Sequence, residues 1–209
     1  MQQKIIQSPY NYTAAAGWLL SQGKLQFGNS FILEKKDRPV LRALLCYFMQ
    51  DEIGAPLLNI NLKKGILLAG PVGCGKSSLM FLLRRLVPPD RKFQIKSCRQ
   101  VSFEFMQDGY EVIHRYSRGR HYPNQVSAHC FDDFGAEATL RYYGNECNVM
   151  AEIFLSRYEL FVEQQIITHL TTNLSATEIE SLYGNRVRSR MRQMFNLISF
   201  DAQAKDKRC

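Results

Sequence analysis

The sequence lacks the marks of several classes of protein. Its six cysteines never stand in a C-x-x-C spacing, the usual spacing of zinc sites and redox pairs. Its first eight residues hold no charged region followed by an apolar one, so we expect no secretory signal. No apolar run approaches the roughly 18 residues that span a bilayer, and we expect no membrane association. Cys46 and Cys130 lie in apolar runs as small core residues do, which fits a cytoplasmic location.

The amino-acid composition is that of an ordinary globular protein with an excess of basic residues. Of its 209 residues, 45% are hydrophobic and 22% are charged, typical of a folded domain. The formal net charge of +8 favours a polyanionic partner, with nucleic acid as the leading candidate. A merely soluble basic protein is the alternative. The length allows one large domain with a short appendage, and we expect a helical extension at 1–23 before a domain at 24–209.

Short apolar runs alternate with helical stretches from Gly65 onward, which is typical of a parallel α/β sheet. Strands are predicted at 65–69, 93–98, 127–131, 165–171 and 196–200. Helices are predicted at 12–22, 37–54, 75–86, 100–117, 144–164, 175–182 and 184–194.

A phosphate-binding loop is predicted between the first strand and the helix after it. It matches G-x-x-x-x-G-K-[ST] in full and comprises Gly70, Pro71, Val72, Gly73, Cys74, Gly75, Lys76 and Ser77, followed by Ser78. Glycines let the backbone wrap around phosphates, and the helix N-terminus favours the anion. Lys76 would reach the β- and γ-phosphates of ATP, and the Ser77 hydroxyl would bind Mg²⁺. A chance match to a glycine-rich turn is the alternative.

An acidic pair follows the apolar run 127–131. A carboxylate at a strand tip beside the phosphate loop would hold Mg²⁺, and we assign this role to Asp132. Asp133 stands where a general base would orient the attacking water. A simple strand-end turn, with Gly135, would also explain these residues.

Three further residues complete the candidate site. Asn173 follows the next strand and could touch the γ-phosphate, although capping the helix near Ser175 explains it equally. Arg186 and Arg190 share one helix face at i,i+4 spacing. Such a pair suits an anion, namely ATP on a neighbouring subunit, nucleic acid or carboxylates; a solvated basic face is the alternative.

Together these segments resemble the DnaC/IstB group of AAA+ ATPases, which includes helicase loaders and transposition helper ATPases. The resemblance covers roughly 24–208 and rests on the phosphate loop, Asp132-Asp133-Phe134-Gly135, Thr172-Asn173-Leu174-Ser175 and the arginine-rich helix. It implies a P-loop NTPase fold with three α/β/α layers and a five-stranded parallel sheet, ordered 5-1-4-3-2. It also implies ATP hydrolysis with Mg²⁺ and a replicative helicase or transposase as partner.

The resemblance assigns further roles by position. Asn173 matches the sensor 1 residue, and Arg190 matches the arginine finger that acts on ATP of an adjacent subunit, which implies a head-to-tail homo-oligomer. Arg186 matches a second basic position of that motif, and Arg208 is the sensor 2 candidate. Asp133 stands where many AAA+ proteins have Glu. The stretch before the core is shorter than the N-terminal partner-binding domain of helicase loaders.

A contact with single-stranded DNA is predicted at 114–122, where arginines alternate with aromatic residues. The residues are Arg115, Tyr116, Arg118 and Arg120, and an ordinary basic helix end is the alternative. Two other functions stay open: a small-molecule P-loop kinase, and a nucleotide-binding module with little hydrolysis.

Overall fold

A five-stranded parallel sheet forms the centre of the computed structural model, which describes residues 9–117, 127–137, 140–142 and 145–207. Its strands are β1 (Gly65–Ala69), β2 (Phe93–Ser97), β3 (Ala128–Phe134), β6 (Thr168–Thr172) and β7 (Phe195–Ser199). The spatial order is β2-β3-β6-β1-β7, which is the predicted 5-1-4-3-2 order read backwards. The predicted fold class is therefore confirmed. A separate antiparallel pair, β4 (Leu140–Tyr142) and β5 (Asn145–Cys147), was not predicted.

The helices described are α1 (Tyr12–Phe27), α2 (Arg38–Phe48), α3 (Gly54–Leu57), α4 (Lys76–Leu83), α5 (Cys98–Asp108), α6 (Glu111–Ser117), α7 (Val149–Gln164) and α8 (Ala176–Met194). The single helix predicted at 100–117 is wrong, because Gly109 takes a φ of +57° and separates α5 from α6. The two helices predicted at 175–182 and 184–194 are confirmed as two segments of α8 on either side of a kink at Gly184, where φ is +81° and ψ is +160°.

Two hydrophobic cores cover the two faces of the sheet. One packs α1, α2 and α4 against one face, and the other packs α5, α7 and α8 against the other. Successive strand residues serve opposite cores, since Cys130 belongs to the first and Phe131 to the second. The result is a three-layer α/β/α arrangement.

Helix α1 runs across the boundary expected at residue 23. Leu19 is fully buried in the first core, and Gly23 lies against the Phe31 ring. Part of the segment expected as an extension therefore packs with the domain. Within the described part of the chain, no helix is both long and apolar enough to cross a membrane.

Candidate nucleotide-binding site

The loop between β1 and α4 has a backbone that requires glycine. Gly73 and Gly75 have φ values of +78° and +103°, in the left-handed region that other residues avoid. A Cβ atom on Gly73 would also lie 2.0 Å from Oδ1 of Asp206. The loop leads directly into α4 at Lys76, so the unpaired N–H groups of that helix's first turn lie at the loop.

Lys76 carries the positive charge of this loop. Its side chain is buried, and its ammonium group donates hydrogen bonds of 2.8 Å to the carbonyls of Gly70 and Pro71. Ser77 beside it is exposed. The loop thus holds a cation and a hydroxyl next to each other at the N-terminus of a helix.

A cavity of about 600 Å³ opens beside the loop. Its polar side includes Asp133 from the end of β3 and Asn173 from the residue after β6, opposite residues 73–79. β6 lies between β1 and β3 in the sheet, so the ends of three adjacent strands contribute to one cavity. Cavities of this size suit a small-molecule ligand with several polar contacts.

The acidic pair is positioned by a threonine of the neighbouring strand. The Thr171 hydroxyl donates to Oδ1 of Asp132 over 2.6 Å and accepts from the Asp133 N–H over 2.9 Å. Asp133 has a φ of +60° and lies in a register shift between β3 and β6. This backbone turn brings Asp133 to the cavity, while Asp132 is half-buried beside Thr171.

The apolar side of the cavity was missed by the sequence prediction. It is formed by the end of α1 and the chain after it, with the side chains of Phe27, Phe31, Ile32 and Leu33. These residues belong to no known motif. Their aromatic and aliphatic side chains, shortly before α2 in the chain, are the only signal that could have indicated a base-binding wall.

Lys207 is a second lining residue that the sequence did not reveal. Its ammonium group forms an ion pair with Asp37, a carboxylate only 2% exposed, which also accepts the Glu34 N–H over 2.9 Å. The Lys207 N–H donates to the carbonyl of Gly73 over 3.0 Å. The segment after β7 is thereby fastened both to the phosphate loop and to the turn before α2.

The turn after β3 is linked to α8. Glu137 accepts a hydrogen bond from the Gly135 N–H and another from the Tyr183 hydroxyl, and the Tyr183 ring stacks on Phe134. Burial raises the pKa of Tyr183, and the negative charge of Glu137 raises it further. The residues that directly follow the acidic pair are therefore linked to the helix that carries the arginines.

The two predicted arginines of α8 do not line this chain's own cavity. The Arg190 guanidinium lies 4.9 Å from the centre of the Tyr158 ring, and its Nη1 donates to the Arg186 carbonyl at 3.5 Å. Arg186 is exposed. Both arginines are thus placed away from this chain's own cavity, and the contact with ATP expected of them on a neighbouring subunit stays a prediction.

The predicted DNA contact needs correction at Tyr116. Its side chain is 5% exposed and its hydroxyl donates to Glu104 over 2.8 Å, so the base-stacking role expected of it is wrong. Burial, with the hydrogen bond to Glu104 next, raises its pKa to about 12. Arg115 already pairs with Glu104 and Asp108, at 3.1 and 2.6 Å. The remaining predicted contacts, Arg118 and Arg120, lie outside the described residues, as does Arg208.

Comparison with known proteins identifies the fold. The chain is similar to the DnaC helicase loader, with a TM-score of 0.55 and 16% identity over 83% of this chain and 95% of that one. The fold is that of a DnaC-like AAA+ protein. DnaI matches with a TM-score of 0.56 and 19% identity, over 82% of this chain and 88% of its own.

A primosome component from Streptococcus pyogenes serotype M3 has a TM-score of 0.59 and 16% identity, over 84% of this chain and 85% of its own. No protein-family model matches the chain, and no curated protein sequence does. The likeness is therefore one of structure, at low sequence identity.

Proposed function

We propose that this protein binds ATP with Mg²⁺ and hydrolyses it. The observation that carries the proposal is the meeting of the phosphate loop, Asp133 and Asn173 at one cavity. An apolar wall for a base and a cationic loop for phosphates lie on two sides of this cavity, which is the arrangement a nucleotide needs.

The residues present fit a magnesium ion that arrives with ATP. Within the described ranges, no group of three or more His, Cys, Asp or Glu residues could hold a metal. Mg²⁺ usually takes only one or two protein ligands together with substrate phosphates and water. Ser77 and Asp132 would hold it, and Thr171 fixes the Asp132 carboxylate. Bound there, the ion would neutralise charge on the phosphate oxygens.

The remaining steps of ATP binding and hydrolysis are assigned to the chain's own residues. Lys76 exchanges its bonds to the Gly70 and Pro71 carbonyls for phosphate oxygens, and the Ser78 backbone adds to the helix N-terminus. Asp133 accepts a proton from the attacking water, and Asn173 positions that water or the γ-phosphate. Hydrolysis on this account needs no covalent intermediate.

Completion of the site by a second subunit is part of the proposal. Arg190 lies on α8, away from its own cavity, so it would serve the ATP of a neighbour in a head-to-tail contact. Arg186 would add a second cation there. Arg208, in the segment after β7, would contact the nucleotide as sensor 2.

The target of the ATPase is proposed to be DNA or a DNA-bound machine in the cytoplasm. Two facts support this: the net charge of +8, and the solved structures of similar fold, which are a helicase loader and a primosome component. A replicative helicase or a transposase is the expected protein partner. Arg118 and Arg120 remain the predicted contacts with single-stranded DNA.

ATP turnover measured with and without single-stranded DNA tests this proposal. Stimulation by DNA, lost in Asp133→Asn and kept in the exposed control Asp201→Asn, is the expected result. Phosphorylation of a small acceptor would instead indicate a kinase. Tight ATP binding without turnover would indicate a nucleotide-binding module, for which the shorter carboxylate of Asp133 is an argument.

A further inference from the structure

A second cavity, of about 550 Å³, lies at the edge of the sheet opposite the phosphate loop. Its walls include Ala128, the first residue of β3, and Lys92 and Ile167, which directly precede β2 and β6, whereas the phosphate loop follows the end of β1. No described residue lines both this cavity and the one beside the phosphate loop.

Two buried side chains bring unpartnered hydrogen-bond donors to this cavity. Tyr47 is 3% exposed, and its hydroxyl has no hydrogen-bond partner among the described residues. His169 is similarly buried, and its Nδ1 accepts the Ile66 N–H over 3.1 Å. A neutral imidazole with Nδ1 as acceptor carries its proton on Nε2, which also lacks a partner within the described part of the chain. Neither atom is among the described polar atoms that are both sealed from solvent and without a partner, so both donors are open to the cavity and can bond to a ligand that fills it.

Both groups keep their protons at neutral pH. Burial raises the pKa of Tyr47, and burial followed by the charge of Arg157 lowers the pKa of His169 to about 3. The hydroxyl and the neutral imidazole are therefore both available as donors. The floor around them is aromatic, because the ring centres of Tyr47 and Phe48, which both line the cavity, lie 5.7 and 5.5 Å from that of His169.

The rim of the cavity is cationic. Lys63, Arg91 and Lys92 line it with one carboxylate, Asp90. The Arg91 charge acts on the Tyr47 hydroxyl, opposing the rise in its pKa. Arg91 also donates to the Leu62 carbonyl over 3.2 Å, which holds its guanidinium at the rim.

We propose that this cavity binds a small organic anion, with its apolar body on the aromatic floor and its charged head between Tyr47 and Arg91. Donors in the floor and cations at the rim both select a carboxylate or phosphate group. The volume matches that of sites which enclose small molecules. The site is separate from the nucleotide cavity and would respond to a second ligand.

The probe for a test is 1-naphthyl phosphate, followed by its fluorescence, with Mg²⁺ and excess ATPγS present to fill the phosphate loop. Tyr47→Phe and Arg91→Gln should each weaken binding about tenfold, as expected for a hydrogen bond to a charged group. Arg42→Gln, an exposed change on α2 outside the cavity, should leave the affinity unchanged.

The melting temperature distinguishes a specific loss of probe binding from a folding defect. Tyr47→Phe removes a hydroxyl without a described partner, so its melting temperature should equal or exceed that of the wild type. Inorganic phosphate should compete poorly and 1-naphthoate well, because the apolar body contributes to binding. The proposal is overturned if the wild type does not bind the probe, if it binds the probe only when ATPγS is left out, or if both variants bind as the wild type does.

Discussion

The Thr171 hydroxyl connects the two carboxylates of the candidate site, donating to Asp132 over 2.6 Å and accepting the Asp133 N–H over 2.9 Å. Thr171 is fully buried in β6, between the strand that precedes the phosphate loop and the strand that ends in the acidic pair. One hydroxyl group thus fixes both the proposed metal ligand and the backbone of the proposed general base.

Thr171→Val removes this hydroxyl with little change in volume. We expect slower ATP turnover and a higher Mg²⁺ requirement, because the Asp132 carboxylate loses its fixed orientation. Thr172→Val is the matched control, since the hydroxyl of this neighbour in β6 also makes two hydrogen bonds, donating to the Phe134 carbonyl of β3 and accepting the Leu174 N–H. The two variants should lose similar stability, about 1 kcal/mol for each net hydrogen bond. Equal Mg²⁺ dependence of turnover in both would argue against this role.

The phosphate loop could be predicted because its motif has fixed spacing, and the parallel sheet because strands and helices alternate along the chain. The order of the strands was implied by the resemblance to AAA+ ATPases. The carboxyl ends of parallel strands meet at one edge, so Asp133 and Asn173 could be expected near the loop.

Other features depend on long-range packing that local sequence does not contain. Tyr116 looked like a base-stacking residue because arginines flank it, yet its hydroxyl bonds to Glu104, twelve positions earlier. The apolar wall at 27–33 gains its role only when α1 packs beside α4. Lys207 reaches Asp37 across 170 positions. Gly109 could have indicated a break in the helix predicted at 100–117. Glycines are often tolerated inside helices, however, so the sequence alone does not show that this one ends the helix.

A mixing experiment tests the neighbour role of Arg190. Arg190→Ala and Lys76→Ala should each be inactive alone, yet their mixture should regain part of the ATPase rate. The intact pocket of the first would receive Arg190 from the second, and such an arginine is worth about 10³–10⁵ in rate in other systems. Arg192→Ala, an exposed change on the same helix, is the control and should stay active. A mixture that remains inactive, with a wild-type rate per subunit independent of concentration, would rule out this arrangement.

Acid should destabilise the fold through two buried histidines. Burial, followed by the charge of Arg157, lowers the pKa of His129 to about 4 and that of His169 to about 3, from an ordinary value near 6.5. On acidification the unfolded chain therefore binds protons that the folded chain does not. The stability that depends on the two histidines is complete above pH 6.5 and is lost as the pH falls, down to about 4 for His129 and about 3 for His169.

The free energy of unfolding can be measured by urea unfolding at several pH values. Below pH 6.5 the two histidines together should lower it with a slope approaching about 2.7 kcal/mol per pH unit. His129→Phe should halve it, because the ring still stacks on Phe131 and Arg157 still donates to the Ser127 carbonyl. His114→Gln changes an exposed residue and should keep the full slope. A slope unaffected by His129→Phe would show that other groups cause the acid sensitivity.

Binding of ATPγS with Mg²⁺, measured by calorimetry on the wild type and Lys76→Ala, tests the central claim most directly. The wild type should bind one nucleotide for each chain. The variant should stay folded at the temperature of the measurement and bind at least about tenfold more weakly, because a charged hydrogen-bond donor to phosphate is lost. Lys35→Ala, which removes an exposed charge from the turn before α2, should bind as the wild type does. Absence of binding by the wild type, or equal affinity in Lys76→Ala, would contradict the assignment of this loop as an ATP site.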